Sequence, residues 1–257
     1  FTGSYYVAQA NNMIGKITGS NYKVDKMVVA VRADDSAETI EDAADYTYGV
    51  QFEKGADNIQ TAVADIEKQV GVDTIEVKEY DSVQDQAQAL IDGDCDAIIY
   101  NSAYTSLMEE AVDGYSDKVK VLYTFNIRVE LDFGNSTGAT DDSIIKEPFT
   151  VYISGIDVYG DVSETSRSDV NIIAVVNPQT HQILLVTTPR DYYVPIPKIS
   201  GGQRDKLTHA GIYGVDASMR TLGELYETDI NYYARLNFTS LIDIVDTLGG
   251  IDVYSEY

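Results

Sequence analysis

Two apolar runs, residues 172–176 and 183–186, flank the short polar segment Asn177-Pro178-Gln179-Thr180. Aliphatic runs of this length on either side of a turn signal define a β-hairpin, and proline suits the first corner of a type I turn. Any fold of this chain must accommodate that antiparallel pair. Charges bracket it, with Ser166-Arg167-Ser168-Asp169 leading in and Thr188-Pro189-Arg190-Asp191 leading out. A turn at 178–179 predicts Arg167 opposite Arg190. Like charges directly opposite destabilise a sheet, so this register implies an anion between the two guanidinium groups.

In an extended segment residues two apart share a face, which predicts Arg167 and Asp169 on one side with Ser168 and Val170 on the other. One spot then gathers two guanidinium groups and a carboxylate. The planar guanidinium fork matches two phosphate oxygens, and a carboxylate beside phosphates commonly serves magnesium. Asp157, closing Ser154-Gly155-Ile156-Asp157, is the second expected ligand of that ion. The plainer alternative is a set of surface ion pairs, which contribute little. Lys198, Arg204 and Lys206 surround a glycine-rich stretch at 200–203 that reads either as a loop closing over a ligand or as a solvated loop. His209 reads as a proton shuttle or a structural side chain, and His181 as an exposed turn residue. No zinc-ligand spacing, nucleophile elbow or phosphate-binding Walker loop occurs.

Charge narrows the ligand. The chain of 257 residues carries a formal net charge of −24, which excludes a nucleic-acid backbone as partner. Residues 1–147 hold 11 Lys/Arg against 28 Asp/Glu, and residues 148–257 hold 7 against 14. Basic residues of the second part cluster at Arg167, Arg190, Lys198, Arg204 and Lys206, which favours a small anionic ligand over a polymer of phosphates. The single Cys95 excludes an intramolecular disulfide and reads as a small residue entering a core strand. No apolar run of about 18 residues is present to cross a membrane. The sequence begins at Phe1 without methionine, so an upstream anchor or signal is expected to have been removed.

The first part alternates strand and helix signals. Residues 26–31 read as a buried strand, 57–70 as a helix with Ile59, Val63, Ile66 and Val70 on one stripe, and 74–77 as a short strand. Residues 83–91 read as a helix stopped by Gly93, 97–100 as a strand and 102–112 as a further helix. A Gly/Ser/Thr/Asp-rich stretch beginning at Leu131 marks a boundary. The expected organisation is an α/β accessory domain over 1–130, a linker over 131–148 and an α/β/α domain with a central mixed sheet over 149–257. In the last of these, strands are expected at 149–153, 232–236 and from 251, with helices at 216–226 and 239–248. Their inward residues are expected to be Met219, Leu222, Leu225 and Tyr226, and Leu241, Ile242, Val245 and Leu248. A domain that stops just after a new strand starts is expected to be incomplete.

From Phe149 to Tyr257 the chain resembles the LytR-CpsA-Psr family of cell-wall glycopolymer ligases of Gram-positive bacteria. The resemblance rests on Ser-Gly-Ile-Asp at 154–157, Ser-Arg-Ser-Asp at 166–169, Thr-Pro-Arg-Asp at 188–191, Asp-Lys-Leu-Thr-His-Ala at 205–210 and Leu-Gly-Gly-Ile-Asp-Val at 248–253. The acidic segment before it is similar to the accessory domain of the capsule-associated, streptococcal CpsA-type members. The resemblance implies an extracytoplasmic protein, tethered to the cell membrane by an N-terminal segment absent here. It also implies transfer of a glycan phosphate from a polyprenyl pyrophosphate to a peptidoglycan hydroxyl. By position Asp157 and Asp169 correspond to the family's magnesium-associated acids, and Arg167 and Arg190 to its pyrophosphate-binding arginines. Arg204 and Lys206 are further substrate-binding candidates. The family's remaining arginines lie downstream of Tyr257, and an apolar tunnel for the lipid is expected along the helices at 216–226 and 239–248. Release of polyprenyl phosphate to water, and a non-catalytic lipid-binding regulator of capsule assembly, are the alternatives.

Overall fold

The computed structural model describes residues 22–51, 56–131, 147–199 and 202–255. They fall into two compact units, one of Val24–Val129 and one that takes in Tyr22 and Lys23 together with residues from Glu130–Tyr257. Of the expected linker, residues 132–146 lie outside the described residues.

The first unit is built on five strands: β1 (Tyr22–Arg32), β2 (Thr47–Val50), β3 (Glu76–Glu79), β4 (Ala97–Asn101) and β5 (Val119–Glu130). Their order is β3-β2-β4-β1-β5, with β2 parallel to β3 and β4, and β1 antiparallel to β4. Successive residues of β1 point to opposite faces. Val29 and Val31 enter a cluster with Ile59 and Ile66 of α1 (Ala56–Val70), whereas Val28 and Ala30 meet Ala87 and Leu90 of α2 (Val83–Asp92). Both faces are thus covered, which is why β1 reads as one continuous apolar run. Gly93 ends α2 in the left-handed conformation at φ 79°, where glycine carries no Cβ penalty. Two short helices, α3 (Thr105–Ala111) and α4 (Tyr115–Lys118), complete the layer. Cys95 is buried in the second cluster, as expected. The strand expected at 74–77 lies two residues later, and β2 and β5 are additions. The acidic run at 34–45 is partly structural, since Asp35 accepts from Ala37 N and the Tyr46 hydroxyl, and Asp42 caps a helical turn.

The second unit has a four-stranded mixed sheet, ordered β11-β6-β7-β8. Its strands are β6 (Phe149–Ile156), β7 (Ser168–Asn177), β8 (Gln182–Thr188) and β11 (Tyr232–Leu236). β11 runs parallel to β6, and β6 and β8 are antiparallel to β7. A two-stranded ribbon, β9 (Tyr193–Pro195) with β10 (Arg204–Lys206), leads into the single-turn helix α5 (Leu207–Ala210) and then α6 (Val215–Tyr226). One sheet face packs on these helices through Tyr152, Ile173, Val194, Leu207, Met219 and Leu222. The mixed α/β class matches the expectation.

Three expectations are corrected. Tyr226 is exposed rather than inward, and its hydroxyl lies 2.8 Å from Thr188 Oγ1. The helix expected at 239–248 is α7 (Phe238–Thr247), but Leu241, Ile242 and Leu248 are more than half exposed, because none of the described residues covers that face. Residues 251–255 form no strand, since no sheet edge among the described residues receives them. Of the two helices expected to line a tunnel, α6 packs on the sheet through Met219 and Leu222, and the apolar face of α7 is exposed. Among the described residues no helix is long and apolar enough to cross a membrane.

Beneath the sheet's inner face lies a buried polar knot. The Tyr152 hydroxyl donates to Asn171 Oδ1 at 2.7 Å and lies 2.8 Å from Ser168 Oγ, which in turn lies 2.8 Å from Ser154 Oγ. Burial pushes the phenol's pKa upward. Removing one partner of a buried network strands the others and costs about 1–3 kcal/mol. Tyr152→Phe is therefore expected to lower stability by about that amount, read as a lower denaturant midpoint at unchanged m.

Candidate functional site

The site is set by the hairpin's register. Asn177 pairs with Gln182 and Asn171 with Thr188. Residues 178–181 thus form a four-residue loop, not the two-residue turn expected at 178–179. Asn177 explains it: its side-chain oxygen accepts from Gln179 N at 3.0 Å and Thr180 N at 3.2 Å, and His181, exposed as expected, takes the left-handed conformation at φ 56°. Continuing this register past Thr188 brings Arg190 opposite Asp169, not opposite Arg167. The facing arginines are corrected to an ion pair, Arg190 Nη1 to Asp169 Oδ1 at 2.9 Å.

The face assignment also changes. Gly155 pairs with Val170 but Ile156 pairs with Ser168, so Asp169 is the extra residue of a β-bulge. The bulge breaks the two-residue alternation. Ser168 and Asn171, three apart, both point into the interior, while Val170 is exposed. Asp169 is freed to turn along the sheet end, where its Oδ1 also accepts from Thr208 Oγ1 at 3.1 Å.

α5 locks the arrangement from below. Thr208 N donates to Arg190 O and Leu207 N to Tyr192 O, both at 2.8 Å. Gly211 then rests on the segment that carries Arg167. A Cβ there would fall 2.6 Å from Ser168 N and 2.8 Å from Ser166 O. His209 is buried, with Nδ1 2.8 Å from Asp205 Oδ1.

The remaining candidates sit around this cluster. Asp157 is exposed at the end of β6, one residue beyond the Ile156–Ser168 pairing. Arg167 is half-buried just before β7. Lys206 and Arg204 lie on the ribbon that connects Arg190 to Thr208, and Arg204 Nη1 reaches Tyr193 O at 3.5 Å. Lys198 stands in the left-handed region at φ 63°, on the loop between β9 and β10, and residues 200 and 201 of that loop lie outside the described residues. Two positions carry no role in the sequence reading. Thr208 stands inside the Asp-Lys-Leu-Thr-His-Ala motif at 205–210, where nothing sets it apart from its neighbours. Arg235 is a lone charge inside an otherwise apolar strand, and that anomaly was its available signal.

Chemically, the Arg190–Asp169 pair is not a stability device. Its side chains are 48% and 25% exposed, and pairs of that kind contribute about 0–1 kcal/mol. The remaining donors of Arg190 leave capacity for an oxyanion, while the second oxygen of Asp169, an acceptor, is open to a donor or a cation. Among the described residues no group of three His, Cys, Asp or Glu is placed to hold a metal. Asp157 and Asp169 stand at the adjoining ends of β6 and β7, and carboxylate oxygens are the ligand type that magnesium takes.

With this geometry in hand, comparison with known proteins places the chain. The model of the LytR_cpsA_psr family matches residues 103–257, more than half of the chain. The chain belongs to that family. The match begins within the first compact unit, some way before Phe149. A second model, of DNA polymerase processivity factors, matches residues 1–100, under half of the chain, and assigns no family. Among curated relatives, a polyisoprenyl-teichoic acid–peptidoglycan teichoic acid transferase TagU from Enterococcus faecalis is 42% identical over 42% of this chain and 36% of its own length. TagU from Bacillus cereus is 36% identical over 48% and 40%. The chain thus spans roughly two-fifths of these relatives' length or less. A structure of TagT with bound octaprenyl pyrophosphate lipid is 33% identical, covers 50% of this chain and 51% of that one, and superposes with a TM-score of 0.40. TagT bound to LI-WTA gives 33%, 50%, 49% and 0.41. At TM-scores below 0.5 these superpositions carry no argument about the fold.

The Gly211 contact yields a test of how the Arg167 segment is seated. Gly211→Ala is expected to force the 166–168 backbone away and cost about 1–3 kcal/mol, the usual range for overpacking. Thermal unfolding of the variant checks it.

Proposed function

We propose that this chain carries the phosphate-binding part of a glycopolymer phosphotransferase. The reaction would move a glycan phosphate from a polyprenyl-pyrophosphate carrier to a peptidoglycan hydroxyl. One observation carries the reading: a bulge, an ion pair and α5 hold Arg190 and Asp169 at a strand end, the latter two residues along the chain from Arg167, in a member of the LytR_cpsA_psr family. The relatives named above are transferases of teichoic acid to peptidoglycan, and a TagT structure holds a polyprenyl pyrophosphate, which supports this substrate class.

In this reading Arg167 and Arg190 bind the pyrophosphate, with Arg204 and Lys206 extending the cationic rim along the ribbon. Asp157 and Asp169 hold magnesium, which when bound neutralises charge on the phosphates. An acceptor hydroxyl attacks the distal phosphorus, forming the new P–O bond as the bond to the lipid phosphate breaks. Its proton passes to one of the two carboxylates, and the arginines stabilise the charge on the departing lipid phosphate. The glycan is capsular polysaccharide or a similar wall polymer, as in the CpsA-type members. The protein works on the outer side of the cell membrane of a streptococcus-like bacterium.

Labelled lipid-linked glycan, peptidoglycan and magnesium test the proposal. Arg190→Ala and Asp169→Ala are each expected to reduce transfer by about 10²–10³-fold, the scale of losing one charge-stabilising group, and chelation of magnesium to stop it. Transfer at the wild-type rate by either variant would overturn the site. Glycan phosphate released to water, with none on peptidoglycan, would identify a hydrolase instead.

A further inference from the structure

Arg235 is the one charged residue of β11, and its side chain is only 5% exposed. The parallel register sets it beside Ser154 and sets Tyr233 beside Tyr152, so it shares the sheet's inner face with the buried polar knot. A guanidinium has five donors. Here Nη1 donates to Val162 O at 3.0 Å, and no carboxylate of the described residues is within ion-pair distance of it. Burial lowers its pKa from the ordinary arginine value, opposed first by Tyr152 and Tyr233 and then by Glu164 and Asp161. A buried charge normally has a partner or coordinates something, because leaving it bare is expensive.

Tethering the loop after β6 does not account for the residue. That loop is already fastened to the start of α7 by three other bonds: Asn237 Nδ2 to Gly160 O at 3.0 Å, Gly160 N to Thr239 Oγ1 at 3.1 Å, and Phe238 N to Val158 O at 3.3 Å. A second unanswered group lies close along the chain. Ser163 Oγ, next to Val162, is buried and has no hydrogen-bond partner among the described residues. Across β6, Ser154 Oγ lies 2.8 Å from Ser168 Oγ, and Ser168 is the residue between Arg167 and Asp169. The sheet register thus sets Arg235 in one row with Ser154, Asn171 and Thr188, two residues short of Asp169 and Arg190.

We propose that Arg235, with the Ser163 hydroxyl, forms an inner oxyanion site that takes one phosphate group of a diphosphate whose other phosphate meets Arg167 and Arg190. This rests on the phosphate reading of the strand end given above. The inner site supplies the partner that the guanidinium lacks, and it gives the cluster a direction, from the exposed Arg190 to the buried Arg235.

Inorganic pyrophosphate, titrated calorimetrically into this chain and into Arg235→Met, Arg235→Lys and Arg190→Ala, tests the site, with thermal unfolding of each variant without ligand. Arg235→Met is expected to unfold no lower than wild type, since it removes an unpaired buried charge. It should bind pyrophosphate about 10-fold or more weakly, the scale of a hydrogen-bonded charge. Arg235→Lys should retain most of the affinity. Wild-type affinity in Arg235→Met, with Arg190→Ala weakened, would overturn the inner site and leave the strand-end reading standing. Weakening by Arg235→Met with none by Arg190→Ala would support the inner site and remove the strand-end one. If both Arg235 variants unfold early yet bind like wild type, Arg235 is a tether and the proposal fails. A wild-type chain that binds no pyrophosphate overturns both.

Discussion

The carboxylate of Asp169 ties three elements together. It receives Arg190 from the end of β8 and Thr208 from α5, and it does so only because a bulge in β7 turns it out of the ladder. In a regular strand, alternation would have set Asp169 opposite in sense to both Ser168 and Val170 and held it perpendicular to the sheet. The backbone bond from Thr208 to Arg190 O then closes a small ring of contacts through strand, loop and helix. The sheet end is therefore a built corner whose side chains have few alternative positions, which is what a site for a phosphate needs if ordering costs are to be met before the ligand arrives.

Under that corner the sheet is polar where a core is usually apolar. Tyr152, Ser154, Ser168 and Asn171 are all nearly inaccessible and bond to one another. In a low-dielectric interior such a network is stiff when satisfied and costly when broken. Ser168 belongs to both systems, since its side chain joins the knot while its neighbours Arg167 and Asp169 form the site. The bulge makes this double role possible: it lets Ser168 and Asn171, three apart, face inward together and leaves Asp169 at the rim. Gly211, pressed on the Ser168 amide, holds the same short segment from the helix side.

Much of this was legible in the sequence, and the failures have physical causes. The hairpin, α1, α2, α6 and the strand ending in Asp157 follow from apolar periodicity and from stop signals such as Gly93. The register does not, because a type I turn at Pro178 and a four-residue loop capped by Asn177 use nearly the same residues, and two residues of slip change Arg190's partner from Arg167 to Asp169. A bulge leaves no mark in the pattern of apolar residues either, so the face assignment around Asp169 fails with it. The apolar stripe of α7 predicts burial that the described residues do not show. Burial needs a surface to pack on, and none of the described residues provides one for Leu241, Ile242 and Leu248. Arg235 was visible as a charge in an apolar strand, but only the sheet order shows that it shares a face with the polar knot.

The pairing of Arg190 with Asp169 prepares the corner for an anion and does not block it. Both side chains keep solvent contact, so opening the pair forfeits about 1 kcal/mol at most, while a guanidinium meeting a phosphate in two parallel bonds gains more, with both bonds charge-assisted. A carboxylate that holds Arg190 in place before binding and turns one oxygen to a ligand's cation afterwards serves both states without leaving its position. Thr208 makes this possible, since its hydroxyl keeps Asp169 anchored when Arg190 turns away. Arg235 has the opposite balance. Its burial removes the solvent that makes the Arg190 pair easy to open, so the cost of the unpaired charge is borne before any ligand arrives. The two cations are thus matched to the two ends of one diphosphate: an exposed arginine that captures at low cost, and a buried one whose unmet hydrogen-bonding capacity favours the ligand that reaches it.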